Sequence, residues 1–239
     1  MTDPPAPRPV TAAQRTELLH RMLLVRRLVA RGAGPTGTPD LPAGEEAIAV
    51  GVVAALGPAD TVVAASRSHG LTLAVELAQA DLARHRPAVT ACFFGGPAAS
   101  RPEFTVCVDL AVRRHLPVLF CCADHEATDP PAPSGLVVEP VDGLDVEAVI
   151  QVVLAALRPM RAGTGPRLLH LRAYGGRALP IGQAADGGPP GDEAGERDPI
   201  RILAGRMRTD HQLDDNALRA IDLDAAAYAE AAAAGRGRP

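Results

Sequence analysis

VTACFFGGPAASRPEFTVCVDLAVRRHLPVLFCCADH, Val89 to His125, is the stretch whose reading decides the fold. An apolar run from Val89 to Phe94 ends at Gly95 and Gly96. A helical segment from about Glu103 to His115 follows, and a second apolar run, Val118 to Cys122, gives way to Asp124 and His125. Two short apolar runs on either side of a helical segment predict a βαβ unit. Its loops then lie at the carboxyl ends of two strands, where open α/β sheets place their ligands. Neighbouring side chains of a strand point to opposite faces, so Cys121 and Cys122 are expected on different sides of the sheet and not as a chelating pair.

The segments on either side support an α/β chain. From about Thr11 to Arg31, Leu18, Leu19, Met22, Leu23, Val25, Leu28 and Val29 alternate with arginines in the pattern of an amphipathic helix. Gly44-Glu45-Glu46-Ala47 opens a second helix, IAVGVVAAL, that is nearly apolar all round and so expected to be buried, with both glutamates favourably placed at its positive end. A short strand, Thr61 to Ala65, and a third helix, about Leu71 to Leu82, precede the central stretch. After it come a short strand at Leu136 to Val138, a turn through Asp145 that caps a helix from Val146 to Leu157, and a strand from Arg167 to Arg172. Two helices, about Asp198 to Met207 and Asp214 to Ala233, close the chain. The expected organisation is a Pro-rich arm over residues 1–12, one α/β domain over 13–233 with a mobile Gly/Pro-rich loop at about 174–197, and a frayed tail over 234–239.

Composition excludes several classes of function. All 24 basic residues are arginine, so no phosphate-loop, Schiff-base or general-base lysine exists. Net charge is −4 with the arginines scattered, which leaves no basic face for nucleic acid. No apolar run reaches eighteen residues, so no membrane span is expected. The four cysteines, Cys92, Cys107, Cys121 and Cys122, sit in apolar runs without C-x-x-C spacing and read as reduced core residues of a cytoplasmic protein. With aromatics at 3% and no Trp, the core must be built from Ala, Val and Leu.

Among single residues, His125 with Asp124 and Cys122 could be drawn as a soft-metal cluster, but polar residues at a strand end usually begin a loop, and no metal site is expected. His69, before Gly70, suits a capping or packing role, and His20 and His170 lie within apolar segments as core or interface histidines. Glu103 and Asp109 are six apart, on different helix faces, and form no acid/base pair.

The order of these segments resembles the alpha subunit of the thiamine diphosphate-dependent decarboxylating component of pyruvate and branched-chain 2-oxo acid dehydrogenases. GEEAIAVGVVAAL (Gly44 to Leu56) is similar to that family's G-Q-E-A helix, and Arg67-x-His69-Gly70 to its Y-R-x-H-G. LPVLFCCADH (Leu116 to His125) stands where the strand before N-N stands. VDGLDVEAVIQVVLAAL and RAGTGPRLLHLRAY, from Val141 to Tyr174, resemble V-D-G-N-D and the following G-x-G-P strand, and DPIRIL (Asp198 to Leu203) fits the closing segment.

The resemblance implies a mainly parallel sheet flanked by helices, a shortened thiamine diphosphate-binding fold. It also implies a beta-type partner in a heterotetramer with the cofactor held between the two subunit types. The family's signature is G-D-G, about twenty-six residues, then N-N, whose Asp and second Asn hold magnesium against the diphosphate. Here Gly95-Gly96-Pro97 and Asp124-His125 occupy those places at the same spacing. Gly96 offers no carboxylate, His125 offers imidazole, which suits softer metals, and Pro97 removes an N–H from the turn. Several dozen residues, among them a glycine-rich block, are missing before Val89.

The positions that would face the cofactor are Arg67, Gly95, Gly96, Ala98, Asp124 and His125, none of them catalytic. Magnesium is not expected with these ligands. Two readings follow: a non-catalytic or accessory alpha-type subunit with a beta-type partner, or a subunit that still binds thiamine diphosphate through Arg67 and His125 and supports decarboxylation or acyl transfer of a 2-oxo acid.

Overall fold

Val118 to Asp124 has every residue buried, so both of its faces must be covered, as in the middle of a parallel sheet. In the computed structural model, which describes residues 10–30, 44–65, 69–125, 133, 135–173 and 197–234, this segment is the third of five strands. The strands are β1 (Thr61–Ala64), β2 (Thr90–Gly95), β3 (Val118–Asp124), β4 (Val137–Asp142) and β5 (Arg167–Arg172). All pair in parallel, in the order β1-β2-β3-β5-β4. Eight helices lie among the described residues: α1 (Ala12–Ala30), α2 (Glu46–Ala55), α3 (His69–Ala83), α4 (Gly96–Ala99), α5 (Pro102–Arg113), α6 (Val146–Arg161), α7 (Pro199–Thr209) and α8 (Asp215–Ala234). The α/β class expected from the sequence is the fold observed, and none of these helices is long and apolar enough to cross a membrane.

Strand alternation sorts the core into two faces. Cys92, Phe94, Phe120 and Cys122 turn toward α3 and α5, where Phe94, Phe104 and Phe120 stack with ring centroids 5.4 to 6.4 Å apart. Ala91, Leu119, Cys121 and Ala123 turn the other way, toward Ile48 and Val52 of α2 and Val149 and Val153 of α6. The adjacent cysteines therefore do face opposite sides, and all four cysteines are free and buried. A third cluster packs α1, α7 and α8 on the outer sides of α2 and α6. This extra layer explains the apolar character of α2, which is enclosed on two sides. Its packing on α6 needs Gly51, since a Cβ there would lie 2.8 Å from Cγ1 of Val149.

One polar cluster lies inside this arrangement. Arg26 of α1 donates to both oxygens of Glu46 at 2.9 and 3.0 Å and to Asp198 at 2.6 Å, and all three side chains are buried. Asp198 also accepts from the amides of Ile200 and Arg201 and so caps α7. Glu46 thus sits in the first turn of α2, as expected, but its main partner is a cation rather than the helix dipole.

The observed boundaries depart from the sequence reading in three places. Gly96 opens a four-residue helix, α4, where a glycine turn was expected. β4 runs on to Asp142 and includes Pro140, which an edge strand tolerates because one side of its backbone has no ladder to complete. α6 continues past Leu157 to Arg161 with Pro159 in its last turns. The expected loop at about 174–197, nearly all of the arm and the tail beyond Ala234 lie outside the described residues, as does Arg67.

The strand order sets the position of the site. β1, β2 and β3 advance across the sheet with α3 and α5 on one face. β4 then takes the far edge, and β5 returns between β4 and β3 after α6, which packs on the opposite face. Reversal of direction puts the returning helix on the other face because parallel crossovers are right-handed. β3 and β5 are therefore neighbours although they are not consecutive in the chain, and open α/β sheets place ligands at the carboxyl ends of such strands.

Candidate functional site

Asp124 closes β3 at this end, and its backbone oxygen accepts the amide of Ala173 at 2.8 Å, which holds the ends of β3 and β5 together. On the face shared with Phe120 and Cys122, a carboxylate oxygen of Asp124 lies 3.0 Å from Nε2 of His170, with both side chains buried. Gly96, at the end of β2, is close by. A Cβ built on it would stand 3.4 Å from the other Asp124 oxygen and would meet nothing else within 4 Å except that carboxyl's carbon.

The next residue, His125, turns toward α2, where its Nε2 bonds the carboxylate of Glu45. Glu45 takes the N-cap position of α2, yet its side chain makes no cap bond and reaches across to the end of β3 instead. The Glu45 side chain is 10% exposed and that of His125 39%. Burial pushes the Glu45 carboxyl above its ordinary value, the His125 bond pulls it back, and neighbouring Glu46 adds to the rise. Burial likewise drives the Cys122 thiol up to about 12, with Asp124 and Glu45 adding to the effect. Cys122 is therefore a protonated thiol at neutral pH, neither a nucleophile nor a thiolate ligand.

Of the residues singled out from the sequence, Gly95, Gly96, Ala98, Asp124 and His125 gather at the carboxyl ends of β2 and β3, while Arg67 lies outside the described residues. His69 starts α3 and is exposed. Gly70 beside it is pressed on the end of β1, where an added Cβ would fall 2.4 Å from Cα of Ala65. Two residues of the site escaped the sequence reading. The sequence places Glu45 only as a helix-dipole residue, although an acid where the resembled family has Gln is a visible signal. His170 is the buried histidine that its apolar segment predicts, but its partner is a site carboxylate.

A magnesium-bridged diphosphate does not match these donors. Magnesium needs several oxygens in near-octahedral geometry. At the two ligand positions of the resembled signature stand Gly96, with no side chain, and His125, whose Nε2 is taken by Glu45. Among the described residues no group of three or more His, Cys, Asp or Glu side chains is arranged to hold a metal. A separate groove of about 440 Å³ on the outer helical layer is lined by Arg15, Arg201, Arg206 and Asp210 among others. Arg15 and Arg206 are already committed there to Glu147, Asp210 and Asp145, so the groove is largely self-neutralised.

No known protein-family profile matches the sequence. It is similar to the pyruvate dehydrogenase E1 component subunit alpha of Porphyra purpurea, with 35% identity over 101 residues, which cover 36% of this chain and 29% of that relative. The match supports a distant relationship, and it spans less than a third of the relative's length.

Proposed function

We propose that the chain is an alpha-type subunit that has kept the fold of a 2-oxo acid dehydrogenase decarboxylating component and lost its grip on magnesium and diphosphate. In this reading it is an accessory, non-catalytic subunit that assembles with a beta-type partner in a heterotetramer, in a reducing cytoplasmic compartment. The partial similarity to a pyruvate dehydrogenase alpha subunit supports the lineage. The observation that carries the loss of function is at the strand ends: Gly96 contributes no carboxylate opposite Asp124, and His125 is engaged by Glu45. Pro97, next in the chain, has no N–H to offer a phosphate oxygen.

No residue of the chain is assigned a catalytic step. The site's four titratable side chains are spent on each other, Asp124 with His170 and Glu45 with His125. What remains for the chain is to fill and support an assembly whose chemistry belongs to other subunits.

The test is calorimetric titration of the chain, co-purified with its beta-type partner, with thiamine diphosphate and magnesium. No binding heat is expected. Binding in the micromolar range, about −8 kcal/mol, would refute the accessory reading and favour a subunit that still presents the cofactor for decarboxylation of a 2-oxo acid.

A further inference from the structure

The place where the resemblance sets a metal-bridged diphosphate is filled here by the protein's own side chains. Glu45 and His125 are 80 residues apart in sequence, and their contact joins the start of α2 to the end of β3. A buried carboxylate is retained only with a partner, because leaving it unpaired removes its hydration with nothing in return. Burial nonetheless wins over His125 in setting the Glu45 carboxyl, which stays above its ordinary value. The folded chain therefore holds the ionised Glu45 less favourably, relative to its protonated form, than the unfolded chain does. A charge kept at the mouth of a ligand crevice against the interest of stability points to a role in what the crevice admits.

The surrounding charges define that role. Glu45 and Asp124 both act on Cys122, so two carboxylates converge on the carboxyl end of β3. Their partners are the imidazoles of His125 and His170, while Glu46, next to Glu45, is neutralised by Arg26. A diphosphate arriving without a metal meets these two carboxylates at the end of β3, with Arg172 at the end of β5 the cation in register with Asp124. A metal arriving first finds no carboxylate at Gly96 and the His125 nitrogen occupied.

We propose that Glu45, held at the end of β3 by His125, is a built-in plug whose carboxylate excludes an anionic diphosphate from the crevice. This deepens the accessory-subunit reading and rests on it.

Two measurements on the full chain test the plug. The first is a thermal unfolding cycle. His125→Asn strands a buried carboxylate and lowers the midpoint by about 3–8 °C. Glu45→Gln alone leaves the midpoint unchanged or raises it, and in that background His125→Asn loses most of its effect. Equal losses from His125→Asn in both backgrounds would overturn the proposal.

The second uses magnesium with inorganic diphosphate as the probe. It compares the pair Gly96→Asp with His125→Asn against the same pair plus Glu45→Gln. The triple variant is expected to gain about 5 °C more from the probe than the double. Equal responses, zero included, would overturn Glu45 as the barrier. Failure of the accessory reading is read separately, as cofactor binding by the unmutated complex, and does not depend on either result.

Discussion

Gly96→Asp tests the geometry of the site directly. The backbone at Gly96 is not among the left-handed glycines, and an added Cβ meets only the Asp124 carboxyl, at 3.4 Å from its oxygen, so the side chain fits without steric conflict. The effect is electrostatic. Two carboxylates about 4 Å apart repel by roughly 4 kcal/mol at an effective dielectric near 20. His170 shares the charge of Asp124, and Gly96 is only half-buried, so the surviving penalty is about 1–2 kcal/mol. For a chain of this size that lowers the unfolding midpoint by about 2–8 °C. A divalent cation placed between the two carboxylates reverses the sign, because it gains two oxygen ligands where the unmutated protein offers one. The assay is thermal unfolding with and without magnesium chloride at constant ionic strength. The unmutated chain should show the same midpoint in both, and the variant should lose stability and regain it with magnesium. A destabilised variant indifferent to magnesium would refute the juxtaposition of the β2 and β3 ends from which the prediction is drawn.

Two further outcomes are expected. Gly70→Ala drives a methyl into the backbone of Ala65 at the end of β1 and should lower stability by roughly 3 kcal/mol, measured by urea unfolding; a loss below about 1 kcal/mol would show that α3 does not start against that strand. Burial alone would raise the Asp145 carboxyl, but bonds from Arg206 and from the amides of Ala148 and Glu147 outweigh it and hold it below its ordinary value of 3.8. A depressed carboxyl stabilises the fold above its unfolded pKa and loses that contribution as pH falls through the folded one. Asp145→Asn keeps an acceptor for the cap and should lose about 1 kcal/mol at pH 7, a deficit that shrinks as pH drops below 3.8. A deficit constant down to acid pH would mean that the Arg206 pair contributes nothing.

How much of the site could be read beforehand depended on distance along the chain. Turn chemistry and strand period place Gly95, Gly96, Asp124 and His125 at the ends of the two strands of one βαβ unit, where the structure has them, whereas their facing a cofactor is implied by the resemblance alone. The separation of Cys121 and Cys122 followed from the two-residue repeat, and the Asp145 cap from its position before an apolar helix. The partners that give the site its character were not legible. His170 is 46 residues from Asp124 and Glu45 is 80 from His125, and no local pattern joins either pair. The Arg26 cluster, spanning 20 and 172 residues, was hidden for the same reason.

The sequence by itself determined that this is an α/β chain and where its βαβ unit lies. These are local matters, set by side-chain period, helix caps and the chemistry of single residues. Tertiary structure decided that β5 returns between β3 and β4, which brings His170 to Asp124, and that the start of α2 reaches the end of β3, which brings Glu45 to His125. The physical reason is that strand order and layer stacking are fixed by the joint burial of distant apolar faces. Only once those faces are paired does it become apparent which charges must neutralise each other.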